Sequence, residues 1–402
     1  MTNPLANKRI LLGVTGSIAA YKAADLASRL TQSGALVDVV LTESAAKFVS
    51  PLTFQSVTGR KAYTDADLWG GEGHVTHIGL GHAADLVLIA PVSANTLAKL
   101  AHGMGDNLLS VTVLASHCPL VLAPAMDVGM YSHPATQANV EILRQRGAVF
   151  IGPEEGRLAS GLVGLGRFVE PARILGQTRY LLSRSGPLAG RKIVVTAGGT
   201  QEPIDPVRMI TNRSSGKQGY AVAQAALDAG AEVVLISAPT ALTPPVGAAL
   251  VAVKTAAQMQ AAVLAETGDA YALIMAAAVA DFRPLPAAQK FKKETGIPRI
   301  ELEATADILA AVSARKAETG FPKFMVGFAA ESQDLLKNAQ SKLERKRLDM
   351  IVANDILAED AGFEVDTNRV VLLFADGRIQ KLPVQEKSEI AEAILQQIIA
   401  WG

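Results

Sequence analysis

The stretch Val194-Val-Thr-Ala-Gly-Gly-Thr-Gln-Glu-Pro-Ile-Asp-Pro-Val-Arg-Met-Ile-Thr-Asn-Arg-Ser-Ser-Gly-Lys-Gln-Gly219 decides the fold of this 402-residue chain. It starts inside an apolar strand pattern, Lys192–Ala197, and empties into Gly198 and Gly199. An acidic, Pro-containing loop then leads to Asn212-Arg-Ser-Ser-Gly-Lys217 and a helix-patterned segment, Gly219–Ala229. A strand that runs into glycines and then a helix start presents several backbone N–H groups to one spot, which is what phosphate binding needs. The cluster is not a Walker A loop. Thr211 stands where that motif has its first glycine, and Gln218 where it has Ser or Thr.

Outward from this stretch, the same strand–turn–helix grammar repeats. Upstream, Ile10–Val14 ends in Gly13-Val-Thr-Gly-Ser17, with helical spacing over Ala19–Leu30 and Gly34 as its stop. Leu36–Leu41, Asp85–Ala90 and Leu120–Ala123 read as further strands, and Asn95–Ala101 and Pro134–Arg146 as helices. Ser183-Arg-Ser-Gly-Pro-Leu-Ala-Gly190 has linker composition. After it come strands at Lys192–Ala197, Glu232–Ile236, Ala272–Ala276, Lys323–Val326 and Met350–Val352. Val370–Phe374 and Arg378–Leu382 read as a hairpin around Ala375-Asp-Gly377, and Glu386–Ile399 as a helix with Ile390, Ile394, Leu395 and Ile398 on its apolar face. Alternating strands and helices imply parallel sheets covered on both faces. The expected architecture is two doubly wound, Rossmann-like α/β domains, residues 1–186 and 187–402, with ligands at the carboxyl ends of the strands.

Composition narrows the partners. Net charge is zero and hydrophobic residues make up 49%, an ordinary globular balance that argues against nucleic acid. No apolar run approaches the ~20 residues of a spanning helix. Met1–Arg9 has no apolar core after its positive charges, so no leader is expected. One cysteine, Cys118, excludes an intrachain disulfide framework and suits a reducing cytoplasm; it is expected to be buried and inert.

Several long motifs in register identify a resemblance that covers nearly the whole chain. They are Gly13-Val-Thr-Gly-Ser-Ile-Ala-Ala-Tyr-Lys22, Thr76-His-Ile-Gly-Leu80, Ala90-Pro-Val-Ser-Ala-Asn-Thr96, Gly105-Asp-Asn-Leu108 and Pro124-Ala-Met126 in the first half. In the second they are the opening stretch, Ala276-Ala-Ala-Val-Ala-Asp281, Val326-Gly-Phe-Ala-Ala-Glu331 and Ala353-Asn-Asp355. The chain resembles the bifunctional bacterial enzymes of coenzyme A synthesis, in which a phosphopantothenoylcysteine decarboxylase is fused to a phosphopantothenate–cysteine ligase.

For the first half, the resemblance implies a flavodoxin-like domain that binds FMN, oxidises the substrate's cysteine thiol and releases CO2 from the resulting thioaldehyde. Gly16 and Ser17 would hold the flavin phosphate, with Thr42, Ser93 and Asn95 at further strand ends. His77 matches the catalytic histidine, a proton carrier suited to neutral pH; His74 is expected to be a bystander. Asn107, Met126 and Asp127 match substrate positions. Two residues depart from the family pattern. Asp127 replaces the usual Asn that grips the substrate carboxylate, and Ser160, in Ala159-Ser-Gly161, replaces the usual flap Cys; Leu162 follows where an acidic residue is common. An ionised Asp127 beside a carboxylate would repel it by about 1–4 kcal/mol at contact distance, so it is expected to be protonated, turned away, or bridged by Arg or Lys. A serine hydroxyl is a far weaker acid than a thiol, so Ser160 does not simply inherit the cysteine's role. The joint departure suggests that Asp127 and Ser160 act as a unit.

For the second half, the resemblance implies that CTP activates 4'-phosphopantothenate as an acyl-cytidylate, which the amine of L-cysteine then opens, with Mg2+ and lysines around the α-phosphate. Asn212 matches the residue that stabilises the acyl-cytidylate. Gly199, Ser214, Gly216 and Lys217 would hold phosphates, and Ala277, Asp281, Lys290, Asp307, Ile308, Phe328, Lys342 and Lys346 the nucleotide, with Lys292 and Lys293 near Lys290. Lys342 and Lys346, four apart, share one helix face; Asp307 also fits a helix N-cap. Which residues hold the metal is left open. The family implies homo-oligomers, flavodomain trimers built into dodecamers with ligase dimers, and flavin sites between subunits. Rival readings are a ligase with a flavin-binding but impaired first domain and a non-enzymatic flavin- and nucleotide-binding regulator. A flavin prenyltransferase would leave residues 190–402 unexplained.

Overall fold

In the computed structural model, the described residues are 3–69, 75–292, 298–331, 334–355 and 366–401. They form two compact units, residues 2–182 and 183–402.

The first unit is built on a six-stranded sheet in the order Ala62–Tyr63, Leu36–Leu41, Arg9–Val14, Leu86–Val92, Leu120–Pro124, Val149–Phe150, all parallel. Its strands are apolar at nearly every position because both faces are covered. Leu86, Leu88 and Ala90 join one cluster with Leu26 and Leu30 of the helix Ala20–Gln32. The intervening Val87 and Ile89 join the other, with Leu97 of the helix Ala94–His102 and Val140 of Pro134–Gln145. Alternate side chains of one strand must face opposite sides of the sheet, so the continuous apolar run is the signature of a parallel sheet between helix layers. The strand expected to stop at Pro91 continues to Val92. Pro91 has no N–H, and the pairing with Leu120–Pro124 skips from Ile89 to Val92. A hairpin of Glu154–Arg157 and Val163–Arg167, which the periodicity did not reveal, stands apart from this sheet.

The second unit holds eight strands in the order Ala249–Ala252, Glu232–Ser237, Lys192–Ala197, Ala272–Met275, Phe324–Glu331, Met350–Asp355, Val370–Phe374, Ile379–Lys381. The first six are mutually parallel and the last two antiparallel. The expected hairpin therefore closes one edge of the sheet. The helix Lys387–Ala400 buries Ile390, Ile394, Leu395 and Ile398 completely, the face read from the sequence. The strand expected at Lys323–Val326 runs on to Glu331 and the one at Met350–Val352 to Asp355. Their carboxyl ends are small or polar, so hydrophobic periodicity stopped short of them. Among the described residues, no helix is long and apolar enough to cross a membrane.

Candidate functional sites at the carboxyl ends of the two sheets

In the second unit, the opening stretch folds back over the sheet. After Gly199 the chain makes a small hairpin, Gln201–Pro203 with Met209–Thr211, and enters the helix Lys217–Asp228 through Gly216. Gly216 has φ +76°, a left-handed conformation that a Cβ would strain, and a Cβ there would meet Thr240 Cγ2 at 2.7 Å. The hairpin turn is organised by Asp205, only 3% exposed. Its Oδ1 accepts from the N–H groups of Val207 at 2.8 Å and Arg208 at 2.7 Å; its Oδ2 accepts from Arg208 Nη1 at 2.7 Å and Phe291 N at 3.2 Å. Burial alone would push this carboxyl up. The N–H groups of Val207, Arg208 and Phe291 and the Arg208 guanidinium more than reverse that and hold it at about 2. A carboxyl depressed in the folded state stabilises the fold above its unfolded value and loses that contribution as pH falls through the folded one. Asp205→Asn is therefore expected to destabilise the second unit at neutral pH, with the gap from the native chain closing between about pH 4 and about pH 2. Chemical denaturation across that range measures it; a pH-independent gap would refute it.

The loop Ala276–Asp281 leaves the strand Ala272–Met275 and is pinned from four sides. Thr196 Oγ1 accepts from Ala277 N at 3.1 Å and Thr200 Oγ1 from Ala280 N at 2.9 Å. Thr305 Oγ1 donates to Ala280 O at 2.6 Å, and Asn212 Nδ2 donates to the carbonyls of Ala278 and Val279 at 3.3 Å each. These contacts shape one wall of a cavity of about 820 Å3. Asn212, Ser214, Gly216, Lys217, Ala277, Asp281, Asp307, Ile308, Phe328, Lys342 and Lys346 all line it. Two expected residues do not. Gly199 is buried behind the wall, where a Cβ would meet Asn212 O at 2.7 Å, so its place is structural. Lys290 is exposed and outside the cavity lining, as is Lys292; Lys293 falls outside the described residues.

Charge decides what the cavity suits. Arg213, Lys217, Lys342, Arg345, Lys346 and Lys387 line it against the two carboxylates of Asp281 and Asp307, a field for a polyanion. Lys342 and Lys346 lie on one face of the helix Leu335–Lys346. Lys342 Nζ donates to Phe328 O at 2.8 Å, and Lys346 pairs with Asp307, whose Oδ1 caps the helix Ile308–Thr319 at Ala310 N. Burial pushes the Lys346 ammonium below the ordinary lysine range, and Asp281 opposes the shift. Lys217 pairs with Asp366 at 2.7 Å. Thr305, Arg213, Arg345, Asn354, Asn368 and Lys387 line the cavity without having been singled out as site residues. Asn354 lay inside a recognised motif, but nothing in the pattern around Lys387 marked it as more than the start of a helix. Among the described residues, no group of three or more His, Cys, Asp or Glu is placed to hold a metal.

In the first unit, the expected residues gather where strands end. Thr15 Oγ1, fully buried, donates to Pro91 O and accepts from Ser93 N, both at 2.9 Å, tying the first and fourth strand exits together. Ser17 Oγ accepts from Ala19 N at 3.3 Å and donates to Ala125 O at 3.4 Å. Gly16 lies so close to the second exit that a Cβ would meet Ser44 Cβ at 2.6 Å. Thr42 and Ser93 cap the helices Glu43–Ala46 and Ala94–His102, and Asn95 is exposed in the first turn of the latter. Asn107 caps Leu108–Ala115, its Oδ1 accepting from Ser110 N at 2.8 Å. His77 sits in the first turn of Thr76–Ala83 with Nδ1 buried and no hydrogen-bond partner among the described residues; His74 lies outside them. Cys118 is half-buried, and burial pushes its thiol up, away from reactivity.

Asp127 and Ser160 meet. Ser160 Oγ donates to Asp127 Oδ2 at 2.7 Å, while Asp127 Oδ1 accepts from Gly129 N at 3.0 Å. The Ser160 hydroxyl, and after it the Gly129 N–H, hold Asp127 below the usual carboxylate range. Of the three expected states of Asp127, protonation is thus disfavoured, and its partner is a hydroxyl, not Arg or Lys. Ser160 lies at the turn of the Glu154–Arg167 hairpin, which docks through Gly164 against Val128 and through Gly166 against Met126, whose N–H donates to Gly166 O at 3.1 Å.

With this geometry in place, comparison with known proteins is informative. The Flavoprotein family model matches residues 1–182, and the model described as DNA/pantothenate metabolism flavoprotein C-terminal domain matches residues 188–401. The "Coenzyme A biosynthesis bifunctional protein CoaBC" of Bacillus subtilis (strain 168) is 46% identical over 400 residues, covering 98% of each chain. Proteins of the same description from Vibrio vulnificus (strain CMCP6) and Mycobacterium tuberculosis (strain ATCC 25618 / H37Rv) are 44% identical over 397 residues and 45% over 407. They cover 98% of this chain and 98% and 97% of their own.

Proposed function

The chain belongs to the family of bifunctional coenzyme A biosynthesis proteins, and from that premise we propose how its two units divide the work. It is a bifunctional enzyme, a decarboxylase and a ligase. The unit of residues 187–402 joins 4'-phosphopantothenate to L-cysteine through an acyl-cytidylate made from CTP, and the unit of residues 1–186 decarboxylates the product with FMN to give 4'-phosphopantetheine. The observation that carries the ligase reading is the convergence of Asn212, Lys342 and Lys346 on one cation-rich cavity.

In the ligase reading, the Ser214–Lys217 segment and the lysines hold the phosphates, because cations and helix-start N–H groups both attract anions. Phe328 and the pinned Ala276–Asp281 loop frame the base and ribose. Asn212, whose amide is already oriented by two carbonyls, lies at the activated acyl group. Burial works against the charge on Lys346, and the incoming phosphates favour its charged form. The chain's described residues make no Mg2+ cage of their own, so a divalent ion would be carried by the nucleotide phosphates.

The match to the Flavoprotein model supports FMN in the first unit. The residues present fit such a group: the joined strand exits at Thr15, Gly16 and Ser93 form a cradle with little room for larger side chains, and His77 offers a buried nitrogen with no partner among the described residues. The flavin, when bound, supplies the two-electron redox step that makes the carboxyl group easy to lose. Ser17 and Gly16 bind its phosphate, Thr42, Ser93 and Asn95 contact it, and His77 moves the proton. Met126 and Asn107 border the substrate, and Asp127 with Ser160 closes the hairpin over it. The impaired-decarboxylase reading is not favoured, since relatives over the full length are bifunctional. Assembly into homo-oligomers through the first unit belongs to the same reading. It is supported by exposed Ile18, Tyr21, Leu52 and Trp69, the last 90% exposed. So does a cytoplasmic location, on the single cysteine.

The test follows CO2 and CMP separately in one purified sample given 4'-phosphopantothenate, L-cysteine, CTP and Mg2+. Both products are expected, CMP appearing first. CMP without CO2 would remove the decarboxylase assignment, and neither product would remove both.

A further inference from the structure

Two residues that line the ligase cavity carry buried amide oxygens with no donor among the described residues. Asn354, at the carboxyl end of the strand Met350–Asp355, is 7% exposed, and its buried Oδ1 has no hydrogen-bond partner among the described residues. Gln218, in the first turn of the helix Lys217–Asp228, has the same feature at Oε1. Its Nε2 donates to the Lys387 carbonyl at 3.1 Å. A carbonyl can only accept, so this contact fixes which end of the amide is the unpaired oxygen. Both residues line the same cavity. A buried acceptor left without a donor is costly, and buried polar groups in folded proteins are nearly always paired. These two sit where a ligand is to bind, so the missing donor is one that the ligand brings.

The chemistry of the wall says which ligand. Triphosphate and carboxylate groups present acceptors, which suit the cavity's lysines and not amide oxygens, and the N–H and O–H donors of base and ribose fall to Phe328 and the Ala276–Asp281 loop in the ligase reading. An amine presents N–H groups. Resting on the ligase reading above, we propose that Asn354 and Gln218 form the subsite that receives the amine of the second substrate.

Neutral amides are the right acceptors for that task. A carboxylate would hold the amine as an ammonium, whose lone pair is occupied by a proton. Amide oxygens orient the N–H groups without that stabilisation, and Lys217 and Lys387, next to Gln218, disfavour a further positive charge. The subsite thus combines orientation with selection of the neutral, nucleophilic form. In the step itself, the nitrogen lone pair attacks the acyl carbon and a C–N bond forms. The bond from that carbon to the cytidylate oxygen breaks, CMP leaves with the electron pair, and the proton released from nitrogen passes to solvent.

The experiment separates the two half-reactions in the full chain. Without L-cysteine, 4'-phosphopantothenate and CTP give a single-turnover burst of pyrophosphate; with it, CMP release reports amide formation. For Asn354→Leu, the burst is expected to fall by no more than about twofold while KM for L-cysteine rises about tenfold or more, because a site built to hydrogen-bond N–H groups loses its discrimination. Gln218→Leu should behave alike. Asn354→Asp keeps the shape and should move the acid limb of the CMP-release profile to higher pH, since a carboxylate retains the ammonium; a residue that only supports the fold would not move it. Equal loss of burst and turnover, or no change in either, overturns the proposal. A native chain that gives no pyrophosphate burst overturns the ligase reading itself.

Discussion

Replacing His77 with Asn is expected to lower CO2 release by about 10²–10⁴-fold, the range typical of a lost general acid or base, while CMP and pyrophosphate formation stay at native rates. The prediction rests on where the imidazole lies. Its Nδ1 is buried in the first turn of Thr76–Ala83 with no partner among the described residues, so none of them holds a proton on, or withdraws one from, that nitrogen. Imidazole is also the side chain whose ordinary pKa lies nearest neutrality. Asn keeps a hydrogen-bonding group of similar reach but cannot titrate. The ligase should be indifferent, because the described residues that line its cavity, from Asn212 to Lys387, all belong to the second unit. Flavin absorption measured on the same sample distinguishes a lost proton carrier from a lost cofactor. Native CO2 release from His77→Asn would remove the histidine from the mechanism.

The parts of this molecule that were legible in the sequence are those governed by periodicity and by turn chemistry. Lys192–Ala197 and Leu36–Leu41 were read to the residue, because burial on both sheet faces forces a mostly apolar run that ends abruptly at a polar or glycine exit. The face of Lys387–Ala400 was readable for the same reason, at a period of 3.6. What escaped were strand ends whose residues are small or polar. Ala353-Asn354-Asp355 is strand by backbone pairing with Ala329 to Glu331, yet its polar side chains carry no strand signature. The hairpin of Glu154–Arg157 and Val163–Arg167 escaped for another reason. It lies outside the main sheet, three of its positions are glycine, and its register contains an irregularity. The site followed the same division. Residues in long motifs, such as Asn212 and Asp281, reached the cavity, whereas Lys387 had no local cue. The Asp127–Ser160 contact was foreshadowed only as a paired departure from a family pattern; the hydrogen bond itself depends on how the hairpin folds back.

That fold-back supplies the second large expected effect, at Gly166. An ideal Cβ built there would lie 2.2 Å from Met126 O and within 3.4 Å of the carbonyl carbon of Asp127. These are backbone atoms in the segment that follows the strand Leu120–Pro124, so no side-chain rotation relieves the overlap. Gly166→Ala must therefore lift the hairpin, breaking the bond from Met126 N to Gly166 O and drawing Ser160 away from Asp127. Displacements of about 1 Å in a positioning element cost on the order of 10²-fold in rate. CO2 release is expected to fall by about that much, with ligase turnover unchanged. Gly156→Ala, on the facing strand, is the matched control. Its Cβ would meet only Arg167 Cδ at 2.8 Å and the Arg167 guanidinium beyond it, the far part of a flexible side chain that can swing aside. It should lose little. Ser160→Ala separates docking from the hydroxyl, since it deletes the bond to Asp127 and leaves the docking glycines, Gly164 and Gly166, in place. If Gly166→Ala decarboxylates at the native rate, the hairpin does not need to rest on the Met126–Asp127 segment, and Ser160 has no claim to the site.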